Sequence, residues 1–537
     1  MTMSRAPKDS RRRRAPRAPA SSCFDISPQD TAETPSALFS GRVRRHSPFQ
    51  TRIGEAANRS VRVMKFGGTS LADASCIERV VEIVRTASRT SALVVVVSAM
   101  AGVTNKLIEA GLLWEAGDGK SVAAIFKELR KRHGAAVNSL IHLRAARIRI
   151  SRKMHKLFQE GERLCHVASL QREFTPQMRD SIASLGERLS APVVAAALEE
   201  RGVSTEMIEA TELIVTDAEY GTAEPRTDAT RQRCEARLRS LLQRGIVPVV
   251  TGFIGATSEG AVTTLGRGGS DYSATILGAA LDADEVIIWK DVDGVLTADP
   301  RIVPGARTIP EISYREAAEL AYFGAKVLHP KTLRAVVQTG IPVWIRNTFA
   351  PDRPGTKITP SGSSNGEGVT GLSAIGDVAL ITMAGPGIVG APDVLARTFV
   401  TTAAVRADVL LISQPSSQNE ICFVVLSAAA QRIIEALRRE FEHELAHEKL
   451  EHISLDPDVA IVTVVGRKLR GMSGMVGRVC NALAREKVNI AAIAQSPSEC
   501  NVSFVVAQED MPAALATTHR EFQLGAPERL ALRVASD

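Results

Sequence analysis

The chain has 537 residues, of which 45% are hydrophobic and only 4% aromatic. This composition, rich in Ala, Val, Leu and Ile, favours α/β domains over an all-β sandwich, and no stretch reaches the roughly 18 uncharged apolar residues of a membrane span. The net charge of +7 resides in residues 1–60, which hold 12 Lys/Arg and 5 Asp/Glu, so the neutral remainder gives no electrostatic reason to expect a nucleic-acid partner.

Residues 1–60 form a basic arm that contains the runs RRRRAPRAPASS and GRVRRHSP. A composition of Arg, Pro, Ser and Ala without periodicity predicts disorder. The arm resembles an organellar transit peptide in its Arg and Ser content, and it has no secretory apolar core. Alternatively, translation starts later, and Met64 is then a suitable first residue. We expect a cytoplasmic protein, or an organellar one if the arm is a true transit peptide.

Residues 61–98 predict a strand–helix–strand unit. VRVMKF (61–66) is a short apolar strand, and SALVVVVS (91–98) is a β-branched run typical of a parallel strand buried on both faces. The segment between them has its apolar side chains at helical spacing. Those side chains are Ile77, Val80, Val81 and Val84. The unit therefore predicts two parallel strands joined by a crossover helix.

The alternation of strands and helices continues as far as residue 350. Residues 106–175 are helical in character and basic, which predicts a solvated helical insertion. Further apolar strands are predicted at IVPVVTGFIG (246–255), EVIIWK (285–290) and IPVWIRN (341–347). We therefore interpret 61–350 as one doubly wound, mainly parallel α/β domain.

A Pro-, Gly- and Ser-rich segment at 351–368 predicts a linker. Beyond it the sequence repeats itself, because LISQPSSQNEICFVV (411–425) matches AIAQSPSECNVSFVV (492–506) at an offset of 81 residues. The same offset relates three further pairs: Gly385 and Gly466, Gly390 and Gly471, Arg397 and Arg478. Each copy predicts a glycine turn, a helix and two strands.

One copy of this repeat is too short to be an enzyme domain. Duplication of such a unit indicates a paired binding module. We place the first module at 369–457 and the second at 458–530.

The segment KFGGTS is a candidate anion site, since it follows a predicted strand and precedes a predicted helix. Gly67 and Gly68 would let backbone N–H groups approach an anion closely. Lys65 adds a positive charge, and Thr69 and Ser70 add hydroxyl donors. The spacing matches neither the Walker A pattern nor the dinucleotide fingerprint, so an ordinary tight turn remains an alternative.

The segment LGRGGSDYSA is a second glycine loop that opens a helix. Arg267 precedes its glycines, Gly268 and Gly269, and Ser270 and Asp271 follow them. Loops that follow strands of one open sheet converge at the carboxyl ends of those strands. The two glycine loops together therefore predict a site for two charged ligands.

Two further segments carry polar side chains after apolar runs. WKDVDGVLTADPR (289–301) has three aspartates, and its spacing lacks the closing glutamate of a calcium loop, so a turn with solvated carboxylates is the alternative. In FGAKVLHPKTL (323–333) we interpret His329 as structural. The seven cysteines are scattered without CxxC pairs, so we predict neither a disulfide framework nor a metal site.

Six motifs occur in the order MKFGGTS, SAMAGVTN, GERLSAP, LGRGGSDYSA, DVDGVLTADPR and FGAKVLHPKTL. In this order they resemble the aspartate kinases of the amino acid kinase family over about residues 62–350, and the repeat at 371–527 resembles their paired ACT domains. The resemblance implies an amino acid kinase fold followed by two α+β, ferredoxin-like ACT domains.

The resemblance also implies a reaction. The γ-phosphoryl group of ATP, bound with Mg²⁺, would pass to the β-carboxylate of L-aspartate and give 4-phospho-L-aspartate. By the same resemblance, this reaction would be the first step towards lysine, threonine and methionine.

Individual roles follow from the same resemblance. Lys65 would stabilise the transferred phosphoryl group, and Asp271 would organise the site. Arg267 would clamp the α-carboxylate of aspartate, and Glu187 would bind its amino group. The remaining aspartate-binding residues would be Ser98, Thr104, Gly268, Gly269 and Ser270. ATP would contact Gly67, Gly68, Thr69, Ser70, Lys290, Asp291, Leu296, Arg301, Lys326 and Val327.

Two positions depart from the family pattern, which usually has Thr and Tyr where this chain has Lys290 and Leu296. Leu296 can offer apolar contact to a nucleotide but neither stacking nor a hydroxyl group. The aspartate-side residues show no departure.

Gln414 and Gln495 lie in ISQPSS and IAQSPS, which resemble the threonine-responsive kinases fused to homoserine dehydrogenase. The chain ends soon after the second repeat, so we expect a single-activity kinase inhibited by threonine, with lysine as the alternative. A solvated strand end is the other interpretation of these glutamines. By the same resemblance, ACT domains pair across subunits, which predicts a homodimer or homotetramer.

Two other functions remain open. One is another amino acid kinase with a different acidic substrate, such as glutamate; GERLSAP and the paired sensors argue against it. The other is a non-catalytic amino-acid sensor that acts on partners. The intact set of Lys65, Arg267 and Asp271 argues against the sensor.

Overall fold

The computed structural model describes residues 59–325, 327–363, 368–386, 392–414, 419–495 and 500–525. All of them belong to the compact unit Gln50–Asp537. Residues 1–58 lie outside the described part, so the predicted basic arm and the cellular location that depends on it stay predictions. Among the described helices, none combines the length and the apolar character needed to cross a membrane.

The first sheet is built from strands between residues 61 and 359. The strands in this region are β1 (Val61–Phe66), β2 (Ala92–Val97), β3 (Thr205–Ile208), β4 (Val247–Thr251), β5 (Ile254–Ala256), β6 (Val262–Thr264), β7 (Glu285–Lys290), β8 (Glu311–Ser313), β9 (Val343–Asn347) and β10 (Thr356–Thr359). Eight of them pair in the order β3-β4-β2-β1-β7-β9-β10-β8, and β5 and β6 form a separate hairpin. Among the described strands of the larger sheet, only β9 and β10 are antiparallel neighbours.

Helices cover both faces of this sheet. They are α1 (Ala74–Ala87), α2 (Val103–Glu115), α3 (Gly119–Leu140), α4 (Arg144–Gln171), α5 (Pro176–Glu200), α6 (Thr227–Gln243), α7 (Gly269–Leu281), α8 (Tyr314–Tyr322) and α9 (Pro330–Val337). Because side chains alternate along a strand, Val63 packs in one core with α6 and α7, and Met64 packs in the other with α1 to α5. The predicted doubly wound, mainly parallel α/β architecture is confirmed.

Most strands lie where the sequence predicts them. The strands at 61–66 and 285–290 are confirmed residue for residue, and those at 91–98 and 341–347 are each shorter by two residues. The run 246–255 is not one strand: it breaks after Thr251 and resumes as β5 in the hairpin. Phe253 at the break has φ +71°, which no continuous strand accommodates.

The segment predicted as a linker, 351–368, contains β10. Its residue Lys357 pairs with Trp344 of β9 on one side and with Glu311 of β8 on the other. Residues 356–359 therefore belong to the first sheet. The sequence pattern did not predict this short strand because its flanks are rich in Pro and Gly. The strand is defined by its pairing with β8 and β9.

The second half of the chain forms a six-stranded antiparallel sheet. Its strands are β11 (Gly368–Ala384), β12 (Val409–Ser413), β13 (Glu420–Leu426), β14 (His452–Arg467), β15 (Ala492–Gln495) and β16 (Asn501–Ala507). They pair in the order β12-β13-β11-β14-β16-β15. The helices packed on this sheet are α10 (Pro392–Ala404), α11 (Ser427–Glu440), α12 (Glu442–Ala446), α13 (Met475–Arg485) and α14 (Met511–Glu521).

The predicted duplication of helix and two strands is confirmed by α10-β12-β13 and α13-β15-β16. The two modules are joined through β11 and β14, which run side by side along 13 register pairs from Gly368↔Arg467 to Ala384↔His452. The predicted boundary at 457/458 falls inside β14. The modules thus share two long strands and one continuous sheet.

The repeat also extends to a side-chain contact that the sequence comparison missed. The Nε atom of Arg397 donates to Glu440 Oε1 at 2.7 Å, and Arg478 Nε donates to Glu521 Oε1 at 3.0 Å. Each guanidinium lies 4.4 Å from the centre of the next aromatic ring, Phe441 in one module and Phe522 in the other. A cation–π contact and an ion pair therefore connect α10 to α11 in the first module and α13 to α14 in the second.

The two halves of the described structure are packed together. Thr297, in the loop after β7, shares a 2.9 Å hydrogen bond with His519 Nε2 of α14, and both side chains are buried. The Thr297 carbonyl accepts from Leu372 N of β11 at 2.8 Å. Ala298 and Val303 enter the core of the second module. The loop after β7 is therefore anchored in the second half of the chain.

Gly324, at the end of α8, provides a test of this packing. It has φ +110°, and a Cβ atom there would lie 2.3 Å from the carbonyl oxygen of Ala374. We expect Gly324→Ala to lower the free energy of unfolding by about 1–3 kcal/mol, because both strain and overlap oppose the side chain. Chemical denaturation of the two proteins measures the difference.

Gly340→Ala is the matched control. Gly340 also has positive φ, +69°, but its Cβ would meet only Pro360 Cγ at an ordinary 3.6 Å. Equal losses of stability in the two variants would show that the close approach of Gly324 to β11 is absent.

Candidate active site

Two lysines and one aspartate meet at the carboxyl ends of neighbouring strands. Lys65 lies near the end of β1, and Lys290 ends β7, its parallel neighbour. Asp271 reaches them from the first turn of α7. The Nζ atom of Lys65 lies 2.6 Å from Asp271 Oδ1, and that of Lys290 lies 2.9 Å from Oδ2. We call these residues the Lys–Asp–Lys cluster.

The charges within this cluster determine its protonation. Burial by itself would raise the pKa of Asp271, but the ammonium groups of Lys65 and Lys290 outweigh burial and lower that pKa to about 2. Burial lowers the pKa of Lys65, and the ion pair with Asp271 opposes that shift. Asp271 is therefore ionised at neutral pH, with an ammonium group on each oxygen. It is arranged to hold the two lysines and not to take a proton.

The loop that leads into α7 depends on Gly268. This residue has φ +72°, and a Cβ atom there would lie 2.6 Å from the Cβ of His329. The positive φ of this residue and the close approach of His329 thus both exclude a side chain at position 268. His329 itself caps α9 by accepting from Lys331 N at 3.2 Å, in agreement with a structural role. The amino end of α7, with Arg267 exposed beside it, is favourable for a negatively charged group.

Glu187 brings a second carboxyl group to the site from the middle of α5. Its side chain is buried, and Oε1 accepts from Ala99 N at 3.0 Å. Oε2 is buried without a hydrogen-bond partner among the described residues. Burial raises the pKa of Glu187 to about 8, and the hydrogen bond from Ala99 only partly opposes this. A positively charged ligand group beside Oε2 would supply the missing partner.

One cavity of about 890 Å³ collects these groups. Its size is in the range of small-molecule sites. Every predicted catalytic and aspartate-binding residue lines it, together with Lys290: Lys65, Ser98, Thr104, Glu187, Arg267, Gly268, Gly269, Ser270, Asp271 and Lys290. The structure therefore brings together side chains that are up to 225 positions apart in the sequence.

Asp180 is a cavity residue that sequence reasoning missed. It is buried and accepts from Gly221 N at 2.9 Å and from Thr264 N and Oγ1 at 2.7 and 2.8 Å. It thereby ties the loop at 221 to β6. A signal was present, because Asp180 precedes Glu187 by seven residues, or two helical turns, on the same face of α5. Other unpredicted lining residues include Asn105, Phe174, Arg179, Tyr220, Thr222 and Phe253.

Most of the predicted nucleotide-side residues lie outside the lining of this cavity. Those outside it are Gly67, Gly68, Thr69, Ser70, Asp291, Leu296, Arg301 and Val327. The Ser70 hydroxyl is engaged with Thr348 Oγ1 at 2.7 Å, and Arg301 is paired with Asp299 at 2.6 Å. Lys326 lies outside the described residues. The nucleotide contacts of these residues stay predictions.

A protein-built metal site is not found in the described part of the chain. No group of three His, Cys, Asp or Glu side chains there could hold a metal ion. Both oxygens of Asp271 already face ammonium groups. Magnesium usually binds through one or two carboxylates together with substrate phosphates, so the residues described here do not by themselves form a Mg²⁺ site.

Comparison with known sequence families gives two matches. The profile of the amino acid kinase family matches residues 60–347, which is more than half of the chain. The ACT domain profile matches residues 381–441 and 462–522. The matched regions correspond to the domain of the first sheet and to the first and second modules.

Individual relatives agree with these matches. The chain is 34% identical over 471 residues to the chloroplastic bifunctional aspartokinase/homoserine dehydrogenase 1 of Arabidopsis thaliana, covering 86% of this chain and 51% of that protein. It is 33% identical over 467 residues to the chloroplastic aspartokinase 1 of the same plant, covering 86% and 80%. The chain thus spans about half the length of the bifunctional relatives that it matches.

Solved structures show the same likeness. The structure of Escherichia coli aspartokinase III in complex with aspartate and ADP is 29% identical with a TM-score of 0.73, over 86% of this chain and 100% of the other. The complex of that enzyme with lysine and aspartate is 30% identical with a TM-score of 0.72, over 86% and 99%. The chain therefore belongs to the amino acid kinase family, among its aspartokinases, and carries two ACT domains.

Proposed function

We propose that the chain is an ATP-dependent aspartate kinase. It transfers the γ-phosphoryl group of ATP to the β-carboxylate of L-aspartate and yields 4-phospho-L-aspartate, the first step towards lysine, threonine and methionine. The observation that carries the proposal is the cavity in which the Lys–Asp–Lys cluster faces Arg267 and Glu187. The E. coli relative, whose complex contains aspartate and ADP, supports the same substrates.

The charges of the cavity suit an amino acid with two carboxylates. Arg267 can hold the α-carboxylate through both of its oxygens, and Glu187 Oε2 can accept from the α-ammonium group. Ser98, Thr104 and Ser270 add hydroxyl donors at the wall. The β-carboxylate is then directed to the lysines, where the phosphoryl group arrives. An aspartate bound in this way satisfies the buried oxygen of Glu187.

The reaction needs no general base. A carboxylate with a pKa of about 4 is ionised at neutral pH. One of its oxygens forms a bond to the γ-phosphorus, the bond from that phosphorus to the bridging oxygen breaks, and the electron pair leaves with ADP, so no proton moves. Catalysis then depends on positioning and on neutralising the charge of the phosphoryl group. Lys65 supplies that charge from within the cluster.

Magnesium enters this proposal as the complex with ATP. The described residues form no cage for it, and its chemistry when bound is to neutralise the phosphate oxygens. The nucleotide is proposed to lie along 290–301 and near Lys326, beside the cavity. Leu296, which is half-buried in a bridge to Thr308, offers this nucleotide apolar contact only.

We further propose feedback inhibition by threonine, with lysine as the alternative ligand. Gln414 and Gln495 are exposed at the ends of β12 and β15, at equivalent places in the two modules. The E. coli relative has been solved in complex with lysine and aspartate, which supports a second amino-acid ligand for this chain besides its substrate. The hydrogen bond between the side chains of Thr297 and His519 connects the second module to the loop after β7.

The assembly is proposed to be a homodimer or homotetramer formed through the ACT domains. β12 and β15 are the edge strands of the six-stranded sheet, and Ile412 and Ile493 on them are 48% and 41% exposed. Exposed apolar side chains on edge strands favour association with a second copy.

A coupled assay of ADP release with a panel of acidic amino acids tests the activity. We expect turnover with L-aspartate and at least about tenfold lower kcat/KM with L-glutamate. Within this assay, Lys65→Met should lower kcat by about 100- to 1,000-fold, the usual effect of removing one donor to a developing charge. Lys127→Met, at an exposed position on α3, is the control and should be active.

Two results would contradict the proposal. Absence of turnover with aspartate by the unaltered protein would leave the sensor function or a different substrate. Full activity of Lys65→Met would remove the assigned role of Lys65.

The raised pKa of Glu187 predicts a pH dependence. Below about pH 8 the free protein holds Glu187 protonated, so an α-ammonium group must displace that proton on binding. We expect kcat/KM for aspartate to rise by up to about tenfold for each pH unit and to level off above pH 8. Glu187→Gln should lower kcat/KM and flatten this rise, whereas Glu435→Gln in α11 should not.

The free energy of unfolding checks the raised pKa of Glu187 independently of the enzyme assay. A folded-state pKa above the ordinary 4.5 contributes stability that is complete below pH 4.5 and is lost as pH rises through about 8. The ligand-free protein should therefore lose unfolding free energy over this range, and Glu187→Gln should lose less. Parallel profiles for the two proteins would contradict the assignment.

Titration of threonine and lysine into the assay tests the regulation. We expect threonine to inhibit, and Gln414→Ala and Gln495→Ala to raise its half-inhibitory concentration by about 5- to 30-fold, the value of one or two hydrogen bonds. Gln159→Ala, on α4, is the control. If neither amino acid inhibits and Gln414→Ala behaves like the unaltered protein, the sensor assignment is wrong.

A further inference from the structure

We propose that Lys290 is a second catalytic lysine, which contacts the transferring phosphoryl group together with Lys65. This inference rests on the proposed kinase activity and deepens it. It changes Lys290 from a nucleotide-binding residue into one that acts on the moving group.

The sheet register places the two lysines together. Lys65 of β1 is level with Ile288 of β7, and Lys290 follows Ile288 by two residues. Because side chains alternate along a strand, Lys290 projects from the same face as Ile288, and so does Lys65 beside it. That face is the one covered by α7, which carries Asp271. Both ammonium groups therefore enter the cavity from one side.

The charge of the cluster exceeds what Asp271 requires. One lysine is enough to neutralise one carboxylate, yet each oxygen of Asp271 has its own ammonium group, at 2.6 and 2.9 Å. Glu187, the other carboxyl group near Lys65, is protonated below about pH 8 in the free protein. The ligand-free cluster thus sets two lysine side chains against one ionised carboxylate at a largely buried site. Burying an excess charge is costly unless a ligand neutralises it.

The exposure of the two lysines shows which one can turn towards a ligand. The Lys65 side chain is 7% exposed, whereas the Lys290 side chain is 19% exposed, and both line the cavity. A lysine is a point charge on a flexible stem. Lys290 can therefore keep contact with Asp271 or approach a phosphoryl oxygen while Lys65 maintains the ion pair.

The chemistry of transfer uses such a pair. Charge spreads over the three equatorial oxygens of the phosphoryl group as its bond to ADP breaks. Two ammonium groups held by one carboxylate can each approach a different oxygen. Loss of a residue that binds only the nucleotide would weaken the affinity for ADP and for ATP equally. Lys290 is proposed to differ from such a residue because it stabilises the phosphoryl group while that group lies between donor and acceptor.

Kinetics of Lys290→Met test the proposal. We expect kcat to fall about 10- to 100-fold, with KM for aspartate within about threefold of the unaltered protein. Affinity for ADP alone should be unchanged, but affinity for ADP with aluminium fluoride and aspartate, a mimic of the moving phosphoryl group, should fall by the same factor as kcat. Lys290→Arg, which keeps the charge, should recover part of both. Thermal unfolding of each variant establishes that the protein is folded.

Two outcomes would overturn the inference. One is a kcat of Lys290→Met within about threefold of the unaltered protein. The other is an equal loss of affinity for ADP alone and for the mimic, which would make Lys290 a nucleotide-binding residue. If Lys290→Met does not fold, Lys290→Gln and Lys290→Arg decide the question by the same comparison. Failure of the unaltered protein to turn over aspartate would instead refute the kinase proposal itself.

Discussion

The structure of the site depends on one buried carboxylate, Asp271, held between two lysines. A buried ionised carboxylate is tolerated only when cations and hydrogen bonds compensate for lost water. This requirement fixes the relative position of three elements. β1 and β7 must be parallel neighbours in a set register, and α7 must begin at the ends of both. Once these are in place, the loop around Gly268 and the cavity wall follow.

The strand that ends at Lys290 also connects the site to the ACT domains. The chain leaves β7, passes the positions proposed for the nucleotide, and enters the second module at Thr297, Ala298 and Val303. The bond to His519 is shielded from water, so a movement of α14 cannot leave Thr297 in place without exposing or breaking it. A ligand that shifts the ACT modules would therefore displace the loop after β7, along which the nucleotide is proposed to lie. The cavity wall itself is formed entirely by the kinase half.

Much of the fold was predictable from local signals. The valine run of β2, the helical spacing of Ile77 and its neighbours, and the glycine loops each identify an element without reference to the rest of the chain. The structure differs from the sequence pattern where partners define the element: β10 lies within the segment predicted as a linker, the run 246–255 breaks at Phe253, and β14 crosses the boundary between the modules. The first and last residues of a strand are set by hydrogen bonds to residues that are distant in the sequence. A local sequence pattern therefore does not predict them.

The sequence by itself determined which side chains this protein has for its chemistry and that its second half is a duplication, because motif order and an 81-residue offset are properties of the chain alone. Only the tertiary structure decided that Lys290 shares Asp271 with Lys65, that Asp180 ties down the cavity wall, and that His519 holds the loop after β7. The reason is physical: ion pairs, burial and shifted pKa values depend on distances in space, and the residues concerned are far apart along the chain.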